Sequence, residues 1–213
     1  MKVKICTPVI GKTLKQFLNN LDKIKNISDM VELRVDLIKD LKISDLQLIQ
    51  DRINQSAGKV KKEAILTCRK KEFILKAFNL GFDYFDIDLS LIKDFNFLNF
   101  KDKIIVSFHN FKKTPMIVTL RKIIKQMRKF NVRVIKIATM INDDQDIKNL
   151  FKILLDKKKD EQMIIVGMGE KGKITRVVGP LLGSFLTFAS TQYGESAPGQ
   201  IRIEKLKKIY QAL

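Results

Sequence analysis

The 213-residue sequence has no tryptophan, one histidine and two cysteines. Cys6 and Cys68 both lie inside apolar runs. We therefore interpret them as buried small side chains of a protein in a reducing compartment, not as a disulfide or a metal pair.

Long apolar runs are also lacking. No run approaches the roughly 20 apolar residues that cross a bilayer. Charge begins at Lys2, ahead of an apolar run that is too short for a secretory signal. We therefore expect a cytoplasmic protein with no membrane partner. Hydrophobic residues make up 45% of the chain, a globular value.

Positive charge is abundant, with a formal net charge of +18. Such a charge attracts polyanions, and it raises the question of a nucleic-acid partner. The lysines are spread over many predicted helix faces, and no helix-turn-helix, zinc knuckle or RNP-type aromatic pattern is present. We predict a solvated lysine-rich surface and no nucleic-acid partner. A small anionic substrate fits the positive sign of the net charge equally well.

Eight short apolar runs are typical of β-strands, and nearly all are separated by amphipathic helical segments. The runs lie at 2–7, 31–37, 63–69, 82–89, 103–109, 132–138, 163–169 and 184–190. This alternation predicts an α/β protein with a parallel sheet, and eight units in about 200 residues predict a compact (β/α)8 TIM barrel. We expect one domain over residues 1–213. An open doubly wound sheet is the alternative, disfavoured because no G-x-G-x-x-G follows the first strand.

Helix boundaries have their own signals. Thr13 and Ser44 are predicted N-caps, and Thr114 with Pro115 predicts another helix start. Gly81 is a predicted helix stop. The last helix is predicted to begin at Ile201.

In such a barrel, functional side chains gather at the carboxyl ends of the strands. The candidates there are Glu32, Arg34, Arg69, Asp86, Asp88, His109, Lys136 and Met168. The charges at Glu32, Arg34 and Asp36 share one strand face, which implies a polar lumen or a strand end because burying them unpaired is costly.

Lys136 and His109 are the candidates for covalent and acid–base chemistry. Desolvation and nearby arginines would lower the pKa of Lys136, and a neutral amine can form a Schiff base with a ketone. His109 lies one βα unit earlier, so the two strands can be neighbours, and an imidazole can take and return a proton. Taken alone, the lysine also fits an outward-pointing side chain, and the histidine a structural one.

Seven sequence blocks together resemble the type I 3-dehydroquinate dehydratase family of the shikimate pathway. They are VELRVD (31–36), YFDIDL (84–89), SFHNF (107–111), KIAT (136–139), GMGEKGKITR (167–176), GSFLTF (183–188) and SAPGQI (196–201). The blocks cover nearly the whole chain in family order. SAPGQ together with the histidine and lysine motifs is the most specific part.

The resemblance implies a hydro-lyase that needs no metal or organic cofactor and works as a homodimer. Lys136 would form an imine with the C3 ketone of 3-dehydroquinate. His109 would remove a C2 proton to give an enamine, then help the C1 hydroxyl leave as water in a syn elimination. Hydrolysis would release 3-dehydroshikimate.

The resemblance also assigns substrate contacts. It places Arg176 on the substrate carboxylate, where a planar guanidinium fork suits a bidentate contact. The remaining implied residues are Glu32, Arg34 and Arg69 near the ring hydroxyls and reacting centre, Ser196 and Gln200 in a lid loop, and Met168 and Phe188 as pocket walls. Without the resemblance, Arg176 reads as a surface charge, and Glu32, Arg34 and Arg69 as an ion-pair network.

Two positions depart from the family pattern. The family usually has a glutamate beside the histidine, before two glycines. Here the segment RKKEF (69–73) places Glu72 one position closer to the strand, and no glycines follow it. The candidate partner of His109 is therefore Glu72, Asp86 or Asp88. Val166 stands where methionine is frequent. The sequence leaves two other functions open: a basic barrel that binds nucleic acid, and another lysine-imine enzyme such as an aldolase.

Overall fold

The computed structural model describes residues 3–55 and 62–213. Its strands are β1 (Ile5–Val9), β2 (Met30–Arg34), β3 (Glu63–Thr67), β4 (Tyr84–Asp88), β5 (Ile104–Asn110), β6 (Val134–Met140), β7 (Gln162–Met168), β8 (Thr187–Ser190) and β9 (Ile201–Arg202). Its α-helices are α1 (Leu14–Ile24), α2 (Asp45–Asn54), α3 (Lys71–Ala77), α4 (Ile117–Arg128), α5 (Asp144–Leu155), α6 (Lys173–Leu181) and α7 (Ile203–Ala212). Between β4 and β5 the chain forms two 3-10 helices, Ile92–Asp94 and Leu98–Lys103, and not an α-helix.

The strands form one parallel sheet in the order β7-β6-β5-β4-β3-β2-β1-β8-β9. The segment before β8 returns to β7, where the Phe185 N–H donates to the Met163 carbonyl at 2.8 Å. This contact curls the sheet into a barrel with the helices outside. The predicted (β/α)8 barrel is confirmed, and β9 is a short addition that pairs with β8.

The barrel interior changes from apolar to polar along the strands. Because successive strand side chains alternate between faces, residues two apart share the interior. One inward layer is apolar and includes Met30, Ile65, Tyr84, Ile105, Val134 and Ile164. Two residues further along β2, β4, β5 and β6 come Glu32, Asp86, Ser107 and Lys136, all buried. The apolar layer fills the base, and the polar layer forms the floor of a site that opens at the carboxyl ends of the strands.

Several predicted boundaries shift. The strand predicted over 31–37 ends at Arg34 and continues as a 3-10 helix, Val35–Leu37. The strand predicted over 63–69 ends at Thr67. The last helix begins at Ile203, because the two residues before it pair with β8.

Of the predicted helix signals, Thr13 and Gly81 are confirmed, Ser44 is confirmed as the N-cap position of α2 but not as a side-chain cap, and the helix start at Thr114 is wrong. Thr13 caps α1 by accepting from the Gln16 N–H. A 3-10 helix, Phe78–Leu80, continues α3, and Gly81 ends it in the left-handed conformation at φ 85°. Ser44 makes no side-chain cap bond, because its backbone is already helical. Helix α4 begins at Ile117, since the Thr114 hydroxyl instead bonds Thr139 and the Met140 carbonyl on β6.

Within residues 3–55 and 62–213, no helix has both the length and the apolar character needed to cross a membrane.

Candidate active site

Lys136 sits in the third position of β6, and its side chain is buried. Its ammonium donates to the Asp86 carboxylate at 2.6 Å and lies 3.8 Å from a Glu32 oxygen. It also lies 4.8 Å from the ring centre of Phe188, a favourable cation–π distance. Lys136 therefore sits between two acids and an aromatic face.

The charge state predicted for Lys136 from sequence is wrong. Burial acts to lower the pKa of Lys136, but the carboxylates of Asp86 and Glu32 outweigh it and raise the pKa above its ordinary value. Arg34 opposes them only weakly. In the resting site Lys136 is therefore an ammonium, because the nearest charges are acids and not arginines.

Asp86 is the acid closest to Lys136. One carboxylate oxygen accepts from Lys136, and the other accepts from the Ser107 hydroxyl at 2.5 Å. Burial acts to raise the pKa of Asp86, yet Lys136, His109 and the hydrogen bonds bring it below the ordinary value. Asp86 and Lys136 thus form a buried, charged pair.

His109 lies one inward position above Ser107 on β5, and β6 is the next strand. Its Nδ1 lies 3.2 Å from an Asp88 carboxylate oxygen, and its ring stacks on Phe111 at 6.0 Å. Burial acts to raise the pKa of Asp88, but hydrogen bonds from His109 and Ser90 lower it to about 2. A carboxylate on Nδ1 favours the proton on that nitrogen, which leaves Nε2 to exchange a proton with a substrate.

The structure pairs His109 with Asp88 and not with Glu72. Glu72 is exposed in the first turn of α3. It is also absent from the cavity wall formed by the described residues. The assignment of Glu72 as the orienting acid is therefore corrected. The reason is geometric: β3 ends at Thr67, and the chain turns outward into α3 before Glu72 is reached.

Arg176 is 1% exposed on α6, so the surface-charge alternative is excluded. Its guanidinium donates weakly to the carbonyls of Phe188 at 3.4 Å and Pro198 at 3.3 Å. Its Nε has no hydrogen-bond partner among the described residues. Burial lowers the pKa of Arg176 to about 10. A buried guanidinium with an unused donor is suited to bind an anion.

Glu32 and Arg34 are held by separate partners. Arg34 makes a bidentate pair with Asp36, with both N–O distances at 2.8 Å. Glu32 accepts from the Thr67 hydroxyl at 3.2 Å and the Ser196 hydroxyl at 3.4 Å. Glu32, Arg34 and Arg69 therefore do not pair with one another among the described residues: Arg34 pairs with Asp36, and Glu32 lies near Lys136 and connects to the loop after β8.

The loop between β8 and β9 lies over the barrel mouth. The Ser196 N–H donates to the Gln200 side-chain oxygen at 3.0 Å. The Gly169 N–H donates to the Pro198 carbonyl at 3.2 Å, which ties the loop to the end of β7. These contacts place Ser196 and Gln200 on the cavity wall.

The residues of the site line one cavity of about 280 Å³. Every predicted site residue except Glu72 lines it: Glu32, Arg34, Arg69, His109, Lys136, Met168, Arg176, Phe188, Ser196 and Gln200. Met168 and Phe188 are buried walls, and Arg69 is exposed at the rim. The sequence reasoning gave Asp86 no role with Lys136 and missed Ser107. The sequence does contain a signal for both. Asp86 lies two positions before Asp88 on β4, and Ser107 two positions before His109 on β5, so each shares a strand face with a candidate residue.

A larger cavity of about 540 Å³ lies at the opposite, amino ends of β6 and β7. Its most buried ion pair, Arg128 with Glu161, is already bidentate at 2.7 Å for both bonds. No group of three or more His, Cys, Asp and Glu side chains in the described ranges is placed to hold a metal ion.

Comparison with known proteins agrees with this geometry. Residues 5–213 match the family model described as type I 3-dehydroquinase. A 3-dehydroquinate dehydratase of Coxiella burnetii is 41% identical over 98% of this chain and 92% of its own. One from Methanocaldococcus jannaschii is 32% identical over 98% of both chains. The crystal structure of 3-dehydroquinate dehydratase from Geobacillus kaustophilus superposes with a TM-score of 0.84 at 24% identity, covering 100% of this chain and 91% of that one, and so supports the fold.

Proposed function

The chain belongs to the type I 3-dehydroquinase family, whose members dehydrate 3-dehydroquinate in the shikimate pathway, and from this premise we propose how its own residues carry out that reaction. Lys136 is the imine-forming nucleophile and His109 the proton carrier. The single observation that supports this most is that Lys136, His109 and the buried, incompletely bonded Arg176 all open onto one cavity. Residues 1–213 act as one catalytic domain.

Arg176 and the loop orient the substrate. The substrate is a carboxylate, and Arg176 offers a buried cation with an unused N–H. Pairing the two satisfies the guanidinium and fixes the ring in the cavity. Glu32, Arg34 and Arg69 bind near the ring hydroxyls and the reacting centre. Ser196 and Gln200 cover the bound substrate and exclude water.

The covalent step uses Lys136 as an electron sink. Its nitrogen joins the C3 carbonyl carbon, and loss of water gives an iminium cation. The positive nitrogen makes the adjacent C2 protons more acidic. Asp86 and the face of the Phe188 ring lie close to that nitrogen and stabilise the cation.

His109 then transfers the proton. Asp88 holds Nδ1 at 3.2 Å, so Nε2 removes the C2 proton and the enamine forms. The resulting imidazolium, stabilised by Asp88, gives its proton to the departing C1 hydroxyl. Hydrolysis of the product imine frees 3-dehydroshikimate and restores Lys136.

Trapping with borohydride tests this assignment. Treatment with 3-dehydroquinate and borohydride should add one reduced substrate to the peptide that contains Lys136, as seen by mass spectrometry. Lys136→Ala should lose the adduct and lower kcat by about three orders of magnitude or more. Lys125→Ala, an exposed lysine of α4, is the control and should keep both. An active protein that gives no adduct at Lys136 would contradict the covalent mechanism.

We also propose that the enzyme is a cytoplasmic homodimer. The family resemblance supports the dimer. Large apolar side chains that remain exposed on one chain, such as Leu98 at 67% and Leu155 at 63%, are available to a partner surface. Light scattering on a size-exclusion column should give twice the chain mass of 24.6 kDa. A single-chain mass at micromolar concentration would oppose it.

A further inference from the structure

The proposed mechanism requires Lys136 to lose a proton before it can attack a carbonyl, because an ammonium has no lone pair. In the resting site Lys136 is charged and 5% exposed. The hydrogen-bonded acceptor on its nitrogen is Asp86, at 2.6 Å. The other nearby acid, Glu32, is at 3.8 Å, beyond hydrogen-bond distance.

The surroundings of Lys136 leave Asp86 as the acceptor. The charged or titratable groups near it are Cys6 from β1, Glu32 and Arg34 from β2 and Asp86 from β4. His109 from β5 lies near Asp86, but its ring bonds Asp88 and makes no hydrogen bond to Lys136 among the described residues. Burial raises the pKa of the Cys6 thiol well above its ordinary value. Glu32 is already engaged by Thr67 and Ser196. The inward neighbours from β7, Ile164 and Val166, are apolar.

We propose that Asp86 is a catalytic residue of this site, one that takes the ammonium proton of Lys136 before attack and returns it when the imine forms. The proposal rests on the imine mechanism given above. It adds a proton-transfer role to a residue that the proposed mechanism uses only to stabilise the iminium cation.

The proton balance closes within the site. Transfer from Lys136 to Asp86 turns the ion pair into an amine and a carboxylic acid. The amine nitrogen bonds to the carbonyl carbon, and one N–H proton moves to the former carbonyl oxygen, giving a neutral carbinolamine. Asp86 then returns its proton to that hydroxyl, the C–O bond breaks, and water leaves. The products are the iminium cation and the Asp86 carboxylate, with the same total charge as the starting pair.

Ser107 holds Asp86 for this task. Its hydroxyl donates to Oδ1 at 2.5 Å, which leaves Oδ2 on the lysine. The bond keeps the carboxylate in one orientation during both proton transfers. Because ammonium and iminium carry the same charge, the carboxylate stays paired with a cation at the start and the end.

A pH consequence separates this role from a structural one. The ion pair and the reactive amine–acid pair contain the same number of protons. Imine formation should therefore be independent of pH where the pair is intact. If Asp86 is replaced by a residue that cannot accept a proton, Lys136 must release its proton to solvent, and the rate should rise about tenfold per pH unit below the lysine's pKa.

The experiment measures imine formation in a His109→Gln background. This change removes the only histidine. An imidazole ordinarily changes charge between about pH 5 and 8, so its own titration would otherwise contribute to the measured pH profile. The change also stalls the elimination so that the imine accumulates. Samples mixed with 3-dehydroquinate at pH 6 to 8 are quenched with borohydride over time, and the Lys136 adduct is quantified by mass spectrometry.

Adding Asp86→Asn should slow adduct formation at pH 7 by roughly a hundredfold and introduce the tenfold rise per pH unit. Asp94→Asn, at an exposed aspartate outside the cavity, is the control and should keep the flat profile at an unchanged rate. Glu32→Gln should lower the rate, because Glu32 is a proposed substrate contact, and yet keep the flat profile. Asp86→Glu, which restores a carboxylate, should restore the flat profile at a reduced rate. A flat profile at an undiminished rate in Asp86→Asn would overturn the proposal.

The parent protein gives an independent test should Asp86→Asn fail to fold. A tenfold rise per pH unit in the His109→Gln protein itself would show that the proton goes to solvent, and would overturn the role of Asp86. Absence of any Lys136 adduct at every pH would instead contradict the imine mechanism, so the two failures are distinguishable.

Discussion

Arg176 shows how a single residue can serve binding at the expense of stability. Its guanidinium is 1% exposed, and its bonds to two carbonyls are long, at 3.3 and 3.4 Å. Its Nε has no partner among the described residues. Burying a charge without full pairing costs free energy in the ligand-free protein.

We therefore predict that Arg176→Met stabilises the ligand-free protein and impairs substrate binding. The free energy of unfolding should rise by about 1–2 kcal/mol, seen as a higher Tm. The KM should rise roughly ten- to hundredfold, because a charge-assisted contact is lost. Arg202→Met, at an exposed arginine, is the control and should change neither. A lower Tm with an unchanged KM would refute this account of Arg176.

We predict that Asp88 contributes to the free energy of unfolding and that this contribution is lost in acid. Its pKa is lowered to about 2, below the ordinary aspartate value of about 3.9. A lowered pKa in the folded state means that ionised Asp88 stabilises the fold above about pH 4, and that this contribution is lost as the pH falls through 2. The side chain is 36% exposed, so solvent screens part of the effect.

The corresponding experiment compares urea unfolding at pH 6 and pH 2. Asp88→Asn should be less stable than the parent at pH 6, and the difference should shrink at pH 2. Asp40→Asn, at an exposed aspartate, is the control. An equal loss for Asp88→Asn at both pH values would mean that its charge contributes nothing.

At the scale of an element, the loop between β8 and β9 depends on one glycine. Gly199 has φ +76°, and a Cβ there would lie 2.2 Å from the Gly169 carbonyl oxygen. That contact is backbone against backbone, so it cannot relax by a side-chain rotation. Any side chain at this position must push the loop away from β7.

Gly199→Ala should therefore raise KM and lower kcat while the barrel stays folded. Gly183→Ala is the matched control: its φ is +94°, but its Cβ would meet only the end of the flexible Lys157 side chain, at 3.4 Å. That variant should lose about 1 kcal/mol of stability and keep its activity. Unchanged kinetics in Gly199→Ala would show that the loop position has no bearing on catalysis.

At the scale of the whole molecule, the net charge of +18 opposes folding through self-repulsion. Raising the salt concentration from about 0.01 to 0.1 M shortens the Debye length from about 30 to about 10 Å. We predict that urea unfolding shows a higher free energy of unfolding at the higher salt concentration. Replacing the exposed Lys122, Lys125 and Lys129 with glutamine should reduce the salt effect. A decrease in stability with salt would contradict this interpretation of the surface charge.

Local residue patterns were enough to predict β1 to β8, their parallel pairing and most of the candidate residues. Strand alternation is local, so apolar runs reveal which residues share a face. This is why Lys136 and His109 could be placed on neighbouring strands before any contact was known. Thr114 was wrongly predicted to start a helix, because local sequence does not reveal that its hydroxyl bonds Thr139 and the Met140 carbonyl. Ser44 does occupy the N-cap position of α2, but its side chain makes no cap bond.

The charge state of Lys136, the burial of Arg176 and the partner of His109 depend instead on contacts made when the barrel closes. Lys136 is an ammonium because Asp86, 50 residues earlier in the chain, lies 2.6 Å from it. His109 is held by Asp88 because α3 carries Glu72 to the outside. Electrostatic energies depend on distance and burial in space, and closing the barrel sets both.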